Sequence, residues 1–122
     1  MREKFLYNEK RLGERVRLRR GDTFFRRLRG LLFTRALPEG EGLLLEPCNS
    51  VHMLGMLYAL DIVYLDAEQR ILKIAPNLPP FLGLSFCLKA KAALELPAGA
   101  AERYGWQVGD RLCVETAEKT GE

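Results

Sequence analysis

His52 is the single histidine in 122 residues, and it stands nine positions before Asp61, a carboxylate set inside the apolar run Met56–Leu65. Two chemistries suit such residues. An imidazole oriented by a carboxylate is a general base if a reacting proton comes within reach. His52 with Met53, Met56 and Cys48 would instead offer soft-metal ligands, but no two of these have the spacing of a zinc centre, so no metal is expected. The plainer roles are structural. His52 can bond a backbone carbonyl where a loop enters a sheet. Asp61 can brace backbone donors or meet one arginine, since an unpaired carboxylate among apolar groups costs on the order of several kcal/mol. Glu95 reads as a solvated or salt-bridged residue on the charged face of its strand. No Walker loop, nucleophile elbow, HExxH or dinucleotide fingerprint occurs, so no enzymatic activity and no cofactor is assigned. His52 and Asp61 are the two candidates for a ligand pocket or a catalytic role.

A second kind of chemistry lies in the arginines. Twelve of the nineteen basic residues but only four of the sixteen acidic ones fall within the first 35 positions, a balance of +8 against −5 for the remainder. Arg15, Arg17 and Arg19 alternate with Val16 and Leu18, and Arg26, Arg27 and Arg29 follow on the next element. Together they predict a basic face that meets an anionic partner. No aromatic side chain is interleaved with the strand arginines to stack bases, so an acidic protein is favoured over nucleic acid, with peripheral contact at an anionic membrane a further option.

The elements that must carry these residues read mostly as strands. Period-two alternation over Glu14–Arg19 places Val16 and Leu18 inward. Asp22 can cap a helix whose apolar stripe is Phe24, Phe25, Leu28, Leu31 and Leu32. Leu43–Leu45 is a short buried strand stopped before Pro47, and Met56–Leu65, rich in Tyr, Ile and Val, is a central strand. Asp66–Arg70 connects it as a hairpin to Ile71–Ile74. The three prolines between Pro76 and Gly83 predict a loop, with Phe81 and Leu82 as a lid or docking surface. Leu88–Leu96 alternates as a half-buried strand. Pro97 opens a short helix through Tyr104, ended by Gly105, and a last strand holds Leu112 and Val114 inward. The tail from Thr116 is polar and expected to fray. The fold class expected is therefore α+β, mostly β: a small curled or barrel-like sheet of six to seven strands with two short helices.

Composition sets the outer limits. With 48% hydrophobic and 29% charged residues, the chain is neither disordered nor membrane-spanning in character, and its length suits one domain over residues 1–122. Met1–Leu12 lacks the apolar core of a secretory signal, so the cytoplasm is expected. Cys48, Cys87 and Cys113 are odd in number and far apart, which fits small buried thiols better than disulfides.

Five motifs in order resemble one known family. These are Arg27–Leu32 (RLRGLL), Gly42–Leu45 (GLLL), Val51–Asp66 (VHMLGMLYALDIVYLD), Leu94–Gly99 (LELPAG) and Gly105–Asp110 (GWQVGD). As a set they are similar to the bacterial and archaeal family known as domain of unknown function 192, over roughly residues 20 to 115, with LELPAG and GxxxGD the most specific pieces. The resemblance implies a small β-rich fold and no established activity. Many members resemble exported proteins, whereas this chain lacks a signal. The motif also commonly carries Thr or Trp near the place of Met53. The expectation is a small binding or accessory module that engages an anionic partner through Arg15, Arg17, Arg19, Arg26, Arg27 and Arg29, the alternative being a small-molecule pocket or enzyme around Asp61 and His52.

Overall fold

The computed structural model describes residues 2–11, 13–21 and 37–118. Seven strands form one mixed sheet: β1 (Arg2–Asn8), β2 (Val16–Gly21), β3 (Glu41–Leu45), β5 (Leu60–Leu65), β6 (Ile71–Leu78), β8 (Ala92–Pro97) and β9 (Leu112–Glu118). Their spatial order is β6-β5-β8-β3-β2-β1-β9, and every neighbouring pair is antiparallel except β2 with β3. A second sheet pairs β4 (Ser50–His52) with β7 (Leu84–Phe86). One short helix, α1 (Ala100–Tyr104), lies among the described residues. The sheet curls without closing into a barrel. Just before β6 and β9 begin, the chain is joined by the bridge Arg70/Arg111 and by the bonds from Ile71 N–H to Asp110 O at 2.8 Å and from Leu112 N–H to Gln69 O at 2.9 Å.

Period-two alternation divides the sheet's side chains between two cores. Leu6, Val16, Leu44, Val63, Leu65, Leu94 and Leu96 face α1 and its flanking Trp106. Leu43, Leu45, Leu60, Ile62, Tyr64 and Ala93 face the other way, toward Val51, Met53 and Met56 around β4. Because both faces are covered, β5 and β8 are buried at every position. A central strand of this kind reads as a continuous apolar run.

Several expectations from sequence hold, among them inward Val16, the Asp66–Arg70 hairpin and a helix ended by Gly105 in the left-handed conformation. Others change. The central strand starts only at Leu60, since Gly55, at φ 82°, and the bond from Met56 N–H to Met53 O make the preceding residues a turn. Pro76 lies inside β6 rather than in a loop. β6 is an edge strand with a register shift opposite Leu60 and Ile62, where a missing N–H breaks no ladder. Pro97 closes β8 instead of opening the helix. Leu88–Lys91 is a turn region, and Glu95, far from solvated, is 0% exposed between Leu43 and Ile62 on its neighbouring strands. Thr116–Glu118, the first residues of the expected frayed tail, are paired with Lys4–Arg2 of β1. β1, β4 and β7 are strands that the pattern did not predict. The helix expected after Asp22, with Arg26, Arg27 and Arg29, lies outside the described residues.

Candidate functional site: a braced carboxylate and a basic groove

Asp61 is 1% exposed and sits on the α1 face of β5. One oxygen accepts Asn77 N–H at 2.8 Å and Gly99 N–H at 3.0 Å, and the other accepts Ala101 N–H at 3.0 Å. The carboxylate thus ties the irregular end of β6 to the start of α1, and it takes two of the donors that a helix start leaves without intrahelical partners. Gly99, at φ 88°, has a left-handed backbone that aims its N–H there.

Asp110 performs a parallel service at the other turn. Its carboxylate accepts Asn8 Nδ2 at 2.9 Å and Gln107 N–H at 3.0 Å, and it meets Lys10 Nζ at 2.9 Å. Burial pushes this carboxyl up, but the bonds from Lys10, Asn8 and Gln107 outweigh it and hold the group below its ordinary value. GxxxGD gave this residue away as a turn; its role as a clasp on β1 needed the fold.

His52 stands elsewhere, on the exposed side of β4, register-paired with Leu84 of β7. It does not share a sheet with Asp61, whose oxygens accept the backbone N–H groups of Asn77, Gly99 and Ala101. Cys48 is buried with its thiol toward Ser50 O at 3.1 Å, while Cys87 and Cys113 are half-buried. Among the described residues no three His, Cys, Asp or Glu side chains cluster as a metal site.

The strand arginines divide. Arg15 bonds Glu115 at 2.6 Å and lies over the Phe5 ring at 4.9 Å, pointing toward β9. Arg17 and Arg19, with Arg20 beyond them, line a shallow groove of about 420 Å³ together with Arg2, Glu3, Lys4 and Leu18. The groove has a cause in the ladder. β1 and β2 pair only at Leu6/Val16 and Phe5/Arg17, so past Arg17 the strands part and the walls are Arg2–Lys4 on one side and Leu18–Arg20 on the other. Carboxylates attend these cations: Arg17 reaches Glu3 at 3.7 Å and Glu41 at 4.0 Å, Arg19 meets Glu41, Arg20 lies 3.7 Å from Glu46, and Arg2 lies 3.7 Å from Glu118. The guanidinium groups remain about half exposed, so such pairs are weak and exchangeable. Arg2, Lys4 and Arg20 were countable as charges in the sequence, but only the parting of β1 from β2 sets them together. A smaller groove of about 180 Å³, lined in part by Arg20, Glu46, Asp66, Glu68 and Arg111, has mixed charge. Neither groove is lined by His52 or Asp61.

Comparison with known proteins follows the same architecture. The chain is 28% identical over 112 residues to a UPF0127 protein of Thermococcus sibiricus, covering 84% of this chain and 69% of that protein. Two solved structures share the fold. A "putative transcription regulator" of Sinorhizobium meliloti superposes with a TM-score of 0.77 at 21% identity, covering 93% and 94% of the two chains. A protein of unknown function from Novosphingobium aromaticivorans superposes with a TM-score of 0.74 at 23% identity, covering 90% of this chain and 82% of its own. The model of the DUF192 family, described as "Uncharacterized ACR", matches residues 7–114, and the chain belongs to that family.

Proposed function

We propose that this protein is a binding module, not an enzyme, and that it holds an acidic polypeptide segment in the groove between β1 and β2. The observation that carries the reading is the groove lining, in which, among the described residues, five cations, Arg2, Lys4, Arg17, Arg19 and Arg20, stand with one carboxylate, Glu3, while Glu41, Glu46 and Glu118 pair with the arginines from outside the lining. An incoming carboxylate exchanges with an exposed ion pair at little cost, and Arg can bind it through two parallel N–H bonds. The groove runs between two strands, whose residues Arg2–Lys4 and Leu18–Arg20 line it. A nucleic acid is the partner that the name of the Sinorhizobium protein suggests. Among the described residues no aromatic side chain lines the groove to stack a base, which favours the peptide. The alternative of a pocket at Asp61 and His52 is weakened by the three backbone N–H groups already on Asp61 and by the placement of His52 on the other sheet.

The test is fluorescence anisotropy with a labelled oligoglutamate peptide, and with short RNA and DNA, titrated from low to physiological salt. The expected result is saturable peptide binding with a steep salt dependence, reduced about tenfold or more when Arg17, Arg19 and Arg20 are changed to Ser. Unchanged peptide affinity in that variant, or tighter binding of RNA or DNA than of the peptide, overturns the reading.

A further inference from the structure

The face of the molecule that carries β4 and β7 has a different character. Of the eight large hydrophobic side chains exposed among the described residues, seven fall here: Leu54, Leu57, Phe81, Leu82, Leu84, Phe86 and Leu88, the eighth being Val108. Several of them are brought together by the ribbon and its loops. Leu84 and Phe86 share the outward side of the two-stranded sheet with His52 and Ser50, because directly paired residues point the same way. At the His52/Leu84 end the two connecting loops are bonded to each other, Met53 N–H to Gly83 O and Phe81 N–H to Met53 O, each at 2.9 Å. Leu54 and Leu82 therefore project from one tip, 67% and 89% exposed. An apolar patch of this extent marks an interaction surface.

Charge around the patch selects the partner. Residues 47–60 and 71–94 contain no Asp or Glu, and their charged side chains are Lys73, Lys89 and Lys91. Lys73 bonds Phe86 O at 2.9 Å and lies 5.4 Å from the centre of the Phe86 ring, so it is part of the patch itself. A second copy of the chain would set lysines against lysines across a two-fold axis, which disfavours self-association. Part of the tip's backbone is already satisfied internally. The N–H groups of Met53, Met56, Phe81, Leu82 and Gly83 are all bonded to carbonyls of the tip, and Pro79 and Pro80 have none to satisfy. Gly83 is packed so tightly that a Cβ would lie 2.5 Å from Pro79 O, so the tip is held in shape before it meets anything.

We infer that this tip docks on an anionic lipid surface, with Leu54, Leu57, Phe81 and Leu82 entering the interfacial layer and Lys73 and Lys89 facing the headgroups. Apolar burial and attraction to anionic lipid act together in such docking, and the lysine stems can lie along the apolar side chains while their ammonium groups stay with the phosphates. The surface is separate from the arginine groove and does not depend on it.

The experiment is co-sedimentation of the full chain with vesicles of phosphatidylcholine alone and of phosphatidylcholine mixed with phosphatidylserine. Binding to the mixed vesicles, weakened by salt and by pure phosphatidylcholine, is expected. The double variant Leu54→Ser, Leu82→Ser should lose about tenfold or more of that binding while melting like the parent chain, since both side chains stand in solvent. The Arg17, Arg19, Arg20 triple Ser variant should sediment as the parent does, which separates this proposal from the groove. Absence of vesicle binding overturns the inference in favour of a protein partner. Loss in the arginine variant with retention in the leucine variant assigns the lipid contact to the groove and also overturns it. A dimer in sedimentation velocity that the leucine variant dissolves would instead identify a second copy as the occupant.

Discussion

The two faces of the seven-stranded sheet are both covered, but by opposite means. On one face α1 is clasped by Asp61, whose carboxylate is spent on backbone N–H groups of Asn77, Gly99 and Ala101. On the other face the β4–β7 ribbon packs Val51, Met53 and Met56 inward and turns Leu54, Leu82, Leu84 and Phe86 to solvent. The carboxylate of Asp61 is buried with its oxygens satisfied on the first face, while large apolar side chains are exposed on the second. The contrast teaches that a buried carboxylate is poor grounds for an active site when its oxygens already have donors, and that the surface left unmatched is the better guide to what the protein meets.

The largest effect belongs to Asp61. Changing it to Ala leaves three buried or half-buried N–H groups without their acceptor, and the expected loss is about 3 kcal/mol or more of unfolding free energy. Urea denaturation measures it, and a loss below about 1 kcal/mol would end the idea of a brace. Asp110→Asn is expected to cost less, about 1–2 kcal/mol near neutral pH, because Asn keeps one acceptor and Lys10 is exposed. Its second signature is pH dependence. The folded carboxyl lies below the ordinary 3.8, so its contribution is fully present above that value and is lost as pH falls through the lowered one. Acid titrations of the parent and the variant should therefore converge at low pH; parallel curves would assign the acid limb to other carboxylates. The smallest effect is His52→Ala, within about 0.5 kcal/mol, since the residue is on the exposed side of a three-residue strand. A thermal shift comparable to that of Asp61→Ala would mean that His52 has a structural task the exposed position does not suggest.

How far the sequence could be read depended on how local the determinant was. Val16 and Leu18 alternate with arginines, and one face of β2 follows from that alone. Gly105 ends α1 in a left-handed conformation that glycine adopts without strain, so the end of the short helix was legible too, while its start was misplaced at Pro97. Glu95 was not. A charged residue between Leu94 and Leu96 looks like alternation, but β8 lies between β3 and β5 with both faces covered, and its Glu is buried with the rest. β4 and β7 are three residues each and show no period long enough to detect. Pro76 misled in the same way, because the rule against proline in a ladder is relaxed at an edge, and edge position is a property of the whole sheet.

For the candidate surfaces the division is similar. The sequence by itself determined the mostly β character, the excess of arginine in the first 35 residues and the presence of two stretches, residues 47–60 and 71–94, free of carboxylates, since these follow from residue type and short-range spacing. Only the tertiary structure decided that Asp61 would be consumed by backbone donors 16, 38 and 40 residues away, that Arg15 would leave the groove which Arg2 and Lys4 join, and that leucines from two loops would meet at one tip. The physical reason is that hydrogen bonding, ion pairing and exposure depend on which distant segments the chain brings together, and that choice is made by the packing of both sheet faces at once.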